Sequence, residues 1–391
     1  MAFVRKLVLL IFVLALVGLG AFFVVGSQIA DKMMNKIVAH EPYPVSEAAL
    51  ALHKTLIIGD WHDDALMWDR DLTKRSDYGH VDFPRMAEGN VALQMFTTVT
   101  KSPAGLNYDE NFAETRDQIT LVVFGQLWPF RTWTSLTERA LYQSKKLHDF
   151  QAKAPEMFRI VRTKGDLQAV LDARAAGTPL MGALMGAEGG HALDGNIANL
   201  ARLDAAGFRM IGLQHFFDNA LGGSLHGISQ TGLTDFGRQV VAEMISRNMI
   251  VDLAHTSAAV ARDVLEFEGV NVVVSHTGIF SHCETKRNFP DDLMQAIAAK
   301  GGLIAIGFWA DVTCDASPTG VAKTIVAAIN LVGANHVSLG SDYDGTVEVG
   351  FDPSEMAALT HALLEEGVSE DDIRAVMGGN MVRYLLAALP E

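Results

Sequence analysis

From Leu52 to the C-terminus, short apolar runs rich in Val, Ile and Leu alternate eight times with segments of helical periodicity, and that alternation admits few folds. The runs are LIIGDWH (56–62), VALQMFTTVT (91–100), LMGALMGAE (180–188), RMIGLQHF (209–216), MIVDLAH (249–255), NVVVSH (271–276), LIAIGFW (303–309) and VSLGSD (337–342). Both alternating faces of each run are apolar, as strands require when one face fills a barrel interior and the other packs under helices. The segments between them carry helix punctuation. DFGRQVVAEMISR and SPTGVAKTIVAAINLVG space their apolar residues helically, the second opened by Ser317 before Pro318 and closed by Gly333. NFPDDLMQAIAAKGG ends in a glycine pair suited to a left-handed terminus. The pattern predicts an α/β fold, a single (β/α)8 TIM-like barrel, and a doubly wound open sheet is the other architecture it admits. Residues 101–176 are too long for one connection, and their aromatic and helical content predicts a helical insertion after the second strand, near the barrel mouth.

In such a barrel the active site forms at the C-terminal ends of the strands. Sorted by that rule, the first run ends in His62 and Asp64, the third in Glu188, the fourth in His215, the fifth in His255, the sixth in His276 and the eighth in Asp342. The second and seventh offer no obvious candidate. Side chains of these types cost free energy to desolvate unless something binds them. Each alone has a plain structural reading: a strand-end His is commonly hydrogen-bonded, a carboxylate there caps the next helix, and Asp342 and Asp344 in GSDYDG suit a turn. Gathered on one rim, they form an imidazole and carboxylate set suited to one or two zinc-like ions. Arg287 and Asn288 follow His276 in SHCETKRNFPDD. Arg suits bidentate capture of a substrate carboxylate, and a surface pairing with Asp291 or Asp292 is the competing reading.

A formal net charge of −15, with no basic stripe, argues against a nucleic-acid partner. Cys283 and Cys314 are too few for a disulfide framework and are read as free thiols, a single bridge being the alternative. Leu7 to Val25 is an uninterrupted apolar run behind Arg5 and Lys6, long enough to cross a bilayer core. A cleaved signal peptide has a shorter apolar region and a small-x-small site, which VGSQIA matches poorly. An uncleaved N-terminal transmembrane helix is therefore expected, with a secreted protein the outcome of cleavage. The basic residues before the run favour a cytoplasmic N-terminus and a catalytic domain outside. The expected organisation is an anchor over 1–30, a linker over 31–51 and one hydrolase domain over 52–391.

HxD on the first strand, an isolated Glu after the third, GLQH, GLTDFGRQVVAEM followed by MIVDLAH, VVVSHTG followed by RNFPDD, and lastly LGSDYDG occur in this order. Together they resemble the membrane dipeptidase (renal dipeptidase) family of the amidohydrolase superfamily, from about Leu52 to the C-terminus. The resemblance implies two zinc ions bridged by Glu188, one held also by His62 and Asp64, the other by His255 and His276. It implies that a metal-bridging hydroxide attacks the peptide carbonyl while Asp342 shuttles a proton to the leaving amine. His215 would polarise the carbonyl and Arg287, beside Asn288, would bind the terminal carboxylate. The implied substrates are dipeptides, including those with a C-terminal D-residue; N-acyl amino acids, β-lactams or lactones are the alternative for the same metal centre, since substrate choice lies in loops. A membrane-tethered, catalytically silent binding module is the reading from another class, and it predicts missing ligands. Many superfamily members bridge their metals with a carbamylated lysine, whereas no strand end here offers a Lys and Glu188 fills the need. Animal members are lipid-anchored at the C-terminus, but YLLAALPE is too short for such a signal. The resemblance to prokaryotic relatives implies a bacterial envelope setting facing the periplasm, with a homodimer left open.

Overall fold

The computed structural model describes the backbone of residues 1–391 and every side chain except those of residues 2, 15–17, 19, 21 and 24. The eight expected strands form, in order: β1 (Ile58–Asp63), β2 (Val91–Phe96), β3 (Met181–Ala187), β4 (Phe208–Gly212), β5 (Ile250–Asp252), β6 (Val272–Thr277), β7 (Leu303–Ile306) and β8 (Val337–Leu339). All are parallel neighbours, and β8 returns to β1 through Leu339 opposite Asp60, which closes the barrel and excludes the open sheet. The long insertion does not interrupt the ring, because β2 pairs directly with β3, Leu93 opposite Gly182.

Every strand is buried on both faces. One face packs under the surrounding helices. The other fills the interior with Trp61, Met95, Leu184, Met210, Ile250 and Val273. The C-terminal helix Asn380–Ala388 plugs the floor, Tyr384 lying edge-on to Trp61 and donating its hydroxyl hydrogen to the Val272 carbonyl at 2.7 Å. Burying aromatic and branched side chains at about 25 cal/mol per Å2 is what holds this layer together. The punctuation read from the sequence operates as expected: Ser317 accepts from the Gly320 amide at 3.1 Å, Pro318 starts the helix, and Gly333 ends it at φ 83°. Gly340 is required by close approach, since a Cβ there would lie 1.8 Å from the Ser275 carbonyl oxygen.

Residues 101–176 form helices α3 (Ile119–Gly125) and α4 (Leu136–Lys153), a short strand Phe158–Ile160 beside the start of β3, and the helix Lys164–Ala175. Ahead of the barrel, α1 (Ala2–Ala21) continues through one π-helical turn, Phe22–Gly26, into α2 (Ser27–Met34). The expected linker is partly built into the fold. Lys36–Ile37 pairs in parallel with Glu348–Val349, and buried Asp31 accepts from Arg70 Nε at 2.8 Å while Arg70 also pairs with Asp344. The expected transmembrane helix rests partly on side chains outside the described residues; among the described residues no helix is long and apolar enough to cross a membrane. One expectation is corrected outright. Cys283 and Cys314 are not free but form a disulfide, their Cα atoms 5.6 Å apart. Sequence spacing hid this, because the two residues sit in successive strand-to-helix loops, 31 positions apart, that only the closed barrel brings together.

Candidate active site

The rim residues converge. His62 lies within β1 and Asp64 just past it, Glu188 follows β3 directly, His276 lies within β6, and His215, His255 and Asp342 stand three residues beyond β4, β5 and β8. Glu188 is the hub: its Oε1 lies 3.6, 3.2 and 3.5 Å from Nε2 of His62, His255 and His276, and its Oε2 lies 3.4 Å from His215 Nε2. His62 Nε2 is also 3.7 Å from Asp64 and 3.9 Å from Asp342. Three overlapping groups have donor spacing suited to a metal ion: His62 with Asp64 and Glu188, Glu188 with His215 and His255, and His62 with His276 and Asp342. The expected second set, Glu188, His255 and His276, is equally close, the two imidazole Nε2 atoms being 2.9 Å apart.

Hydrogen bonding fixes which ring atoms face inward. The Ser275 hydroxyl donates to Asp252 Oδ2 at 2.7 Å, so its lone pairs accept from Nδ1 of His62 at 3.1 Å and of His276 at 2.8 Å. One serine thus turns the Nε2 lone pairs of two histidines toward Glu188, as ligand imidazoles require. His215 Nδ1 faces the Lys101 carbonyl at 3.3 Å, which can only accept, so this ring is anchored the same way. His62 Nε2 is buried with no hydrogen-bond partner among the described residues.

The electrostatics point to a cation. Burial, and then the charges of Asp64 and Asp342, push the Glu188 carboxyl well above its usual range. Burial and Asp64 push Asp342 up to about 8. Burial opposes a charge on His62, but Asp64 and Glu188 outweigh it and raise the ring to about 10. Burial lowers His215 to about 4 and holds His255 and His276 well below the usual histidine range. Crowded carboxylates with raised pKa and lone-pair imidazoles are the donor set of a divalent metal site. Backbone strain sits at the same place: His255 and Asp342 have φ of 63° and 61°, a left-handed conformation that costs of order 1–3 kcal/mol for such residues. Gly345 leaves room for this, since a Cβ there would lie 2.2 Å from Asp342 Oδ1.

Arg287 is buried, donates to the His276 carbonyl at 2.8 Å, and lies 5.8 Å over the Trp309 ring. It has no carboxylate partner within 4.0 Å among the described residues, which removes the surface-pair reading: Asp292 pairs with Arg262, and Asp291 accepts from the Ser281 amide. Asn288 is bonded within its own loop and to Val312. Its amide accepts from Gly278 and donates to the Cys283 and Val312 carbonyls, so it staples the loop and does not reach the cavity. The cavity itself is floored by Asp64, Glu188, His215, His255, Asp342 and Arg287 and walled by Leu106, Tyr108 and Ile119 of the insertion, with Trp309 opposite. Trp309 donates to the Tyr108 hydroxyl at 3.1 Å, joining the walls.

Sequence reasoning passed over Asp60, Ser275, Asp252, Tyr108 and Trp309. Asp60 accepts from the Ser341 amide at 2.8 Å and also from its hydroxyl, fixing the Asp342 loop to β1. A signal existed for Asp60 and Asp252: each is a carboxylate inside one of the apolar runs, LIIGDWH and MIVDLAH, and needs a partner as much as a residue at the end of a run does.

The membrane dipeptidase model (peptidase family M19) matches residues 46–388. The chain is 30% identical to the dipeptidase aclJ of Aspergillus oryzae over 387 residues, covering 88% of this chain and 83% of that protein. Among solved structures, the fold is similar to the dipeptidase AC, a family M19 metallopeptidase, with TM-score 0.69 and 23% identity over 86% of this chain and 100% of that one. It is similar too to a metallopeptidase of Rhodobacter sphaeroides, solved with a phosphinate mimic of the dipeptide L-Ala-D-Ala, with TM-score 0.68 and 23% identity over 85% and 99%. The chain therefore belongs to the membrane dipeptidase family, peptidase family M19, and is a metal-dependent dipeptidase.

Proposed function

We propose that this chain is a binuclear zinc dipeptidase whose ions are shared through Glu188. The observation that carries the reading is the convergence of three imidazole Nε2 atoms on one buried carboxylate oxygen. His62, Asp64 and Glu188 would hold one ion, and Glu188, His255 and His276 the other, with His215 in reach of Glu188 on the same side as His255. Ions bound there would acidify a water and polarise the scissile carbonyl, which amide hydrolysis near neutral pH requires.

The chain's own residues supply the rest. Arg287, buried without a counter-ion, binds the substrate's terminal carboxylate and orients the dipeptide. Asp342 is placed to hold a proton at its carboxylate and pass it to the leaving nitrogen, the role its raised pKa suits. His215 faces the cavity with Nε2 while Nδ1 stays on the Lys101 carbonyl; burial keeps the ring neutral, so it would donate to an oxyanion only after the developing negative charge draws a proton onto Nε2. Tyr108 and Trp309 wall the cavity on opposite sides. The Rhodobacter relative's ligand, a mimic of L-Ala-D-Ala, supports acceptance of a C-terminal D-residue here.

The domain reading is an N-terminal anchor followed by one catalytic unit. It is supported by α1, on which Leu7 to Leu14 are all exposed on every side of the helix, an arrangement water does not favour. The Cys283–Cys314 disulfide supports an oxidising, extracytoplasmic setting. The test is amino-acid release from L,L- and L,D-dipeptides by zinc-loaded protein, with N-acetylated analogues alongside. Release that needs a free amino group and stops with chelator is expected. Turnover of only the acetylated compounds would overturn the substrate assignment.

A further inference from the structure

Leu121 on α3 and Leu127, Phe130 and Trp133 just after it are 49%, 67%, 79% and 38% exposed, an apolar surface of the insertion beside the start of the chain. The cluster is ordered by its own packing: the Trp133 ring lies 4.4 Å from Phe130 and 4.8 Å from Phe124, centroid to centroid. It abuts the foot of the N-terminal helix. A Cβ on Gly125 would be 3.5 Å from Phe22, and Gln126 donates to the Ser27 hydroxyl at 2.8 Å. Phe22, Phe23, Val25 and Ile29 are themselves exposed and carry the apolar surface on from α3.

We propose that this cluster is a second membrane contact, in which Leu121, Leu127, Phe130 and Trp133 enter the lipid interface beside α1 and bring the barrel's catalytic rim against the bilayer. The inference rests on the anchoring reading and adds an orientation to it. The depth argument is direct. The apolar run ends at Val25, so the water boundary falls near that residue, and Phe22 lies about 5 Å inside it at 1.5 Å per residue. The end of α3 touches Phe22 and so stands at interfacial depth. Tryptophan and phenylalanine prefer that zone, and Arg131 within the cluster reaches back to Glu138 at 2.8 Å, keeping its charge out of the apolar layer. A net charge of −15 makes apolar insertion, not attraction to anionic headgroups, the force that seats this face. The other end of α3 is Ile119 in the cavity wall, and seven helical residues span about 10 Å, so the cluster and the cavity belong to one rim. The consequence is that substrate reaches the site along the membrane surface.

Tryptophan fluorescence tests this in the intact chain. Trp61, Trp68, Trp128 and Trp309 are 0–2% exposed, so Trp133 is the tryptophan that lipid can reach. The full-length protein is reconstituted into phosphatidylcholine vesicles with brominated or ordinary acyl chains, floated to measure attachment, and compared with Trp133→Phe. Expected are co-flotation of both proteins, quenching of one tryptophan's share of the emission by brominated lipid in the wild type, and its loss in Trp133→Phe with dipeptide hydrolysis unchanged. The double variant Leu127→Ser/Phe130→Ser, made at exposed positions, should reduce the quenching and shift the emission to the red. Failure to float overturns the anchoring reading and this inference with it. Flotation with no quenching, or with equal quenching in Trp133→Phe, leaves the anchor standing and overturns the docked rim.

Discussion

The floor and the walls of the cavity are built on different principles. Floor residues other than Arg287 sit at strand ends, where barrel register places each within three positions of a β-strand, and their rings are aimed by buried bonds such as those of Ser275 and Asp252. The walls come mostly from the insertion, where Tyr108 belongs to no helix or strand and is held by its hydroxyl on Trp309, three residues past β7, and by its carbonyl near His226. Chemistry is thus fixed by the scaffold, while selectivity is set by segments that can change without disturbing it.

The sharpest way to separate floor from wall is charge. Arg287→Met removes a buried guanidinium from the floor and should lower kcat/KM on free dipeptides by about 2–5 kcal/mol, roughly thirtyfold to several thousandfold. C-terminally amidated dipeptides should show little difference between the two proteins; an equal loss on both would mean Arg287 only supports the fold. Next in size is Ser275→Ala, which releases the Nδ1 anchors of two ligand rings at once. Zinc titration should show affinity reduced about 10- to 100-fold, and unchanged affinity would break the claim that one serine aims both rings.

Linkage gives a third test. Without metal, Asp342 (about 8) and His62 (about 10) keep protons in the folded state that the unfolded chain has lost by pH 7. Groups raised in this way contribute stability that is lost as pH climbs through their folded pKa. Chelated protein should therefore melt at a lower temperature at pH 9 than at pH 7. Histidines with lowered pKa do not confuse this window, being neutral in both states above their ordinary value, whereas buried Lys146, lowered to about 8, offsets part of the slope. Zinc displaces the retained protons, so the loaded protein should lose that slope. A chelated melting curve that does not move between these pH values would contradict the proposed crowding of carboxylates. The smallest effect belongs to the wall: Tyr108→Phe removes one hydrogen bond, worth about 0.5–1.5 kcal/mol, and should move KM by less than about tenfold with kcat nearly unchanged.

The same division decided what the sequence disclosed. The strand count and the rim set were legible because apolar runs and strand-end position are local signals, and because His62, Glu188, His276 and their neighbours fall on one rim; closure was not, since the same runs also admit an open sheet. The bonding of Asn288 was not legible, because proximity to Arg287 in sequence says nothing of where an amide points; here it ties Gly278, Cys283 and Val312 together. The Cys283–Cys314 bridge, the Arg70 link between Asp31 and Asp344, and the Tyr108–Trp309 contact join residues 31, 39, 274 and 201 positions apart. Such pairings follow from closure of the ring and have no signature in composition or spacing.

The central claim, a metal centre shared through Glu188, is tested most directly by measuring bound zinc per chain together with dipeptide hydrolysis in the wild type and in Glu188→Gln. The account predicts two zinc ions per wild-type chain, and in the variant a loss of bound metal accompanied by near-complete loss of hydrolysis. A Glu188→Gln chain that keeps its zinc and hydrolyses dipeptides at the wild-type rate would contradict it.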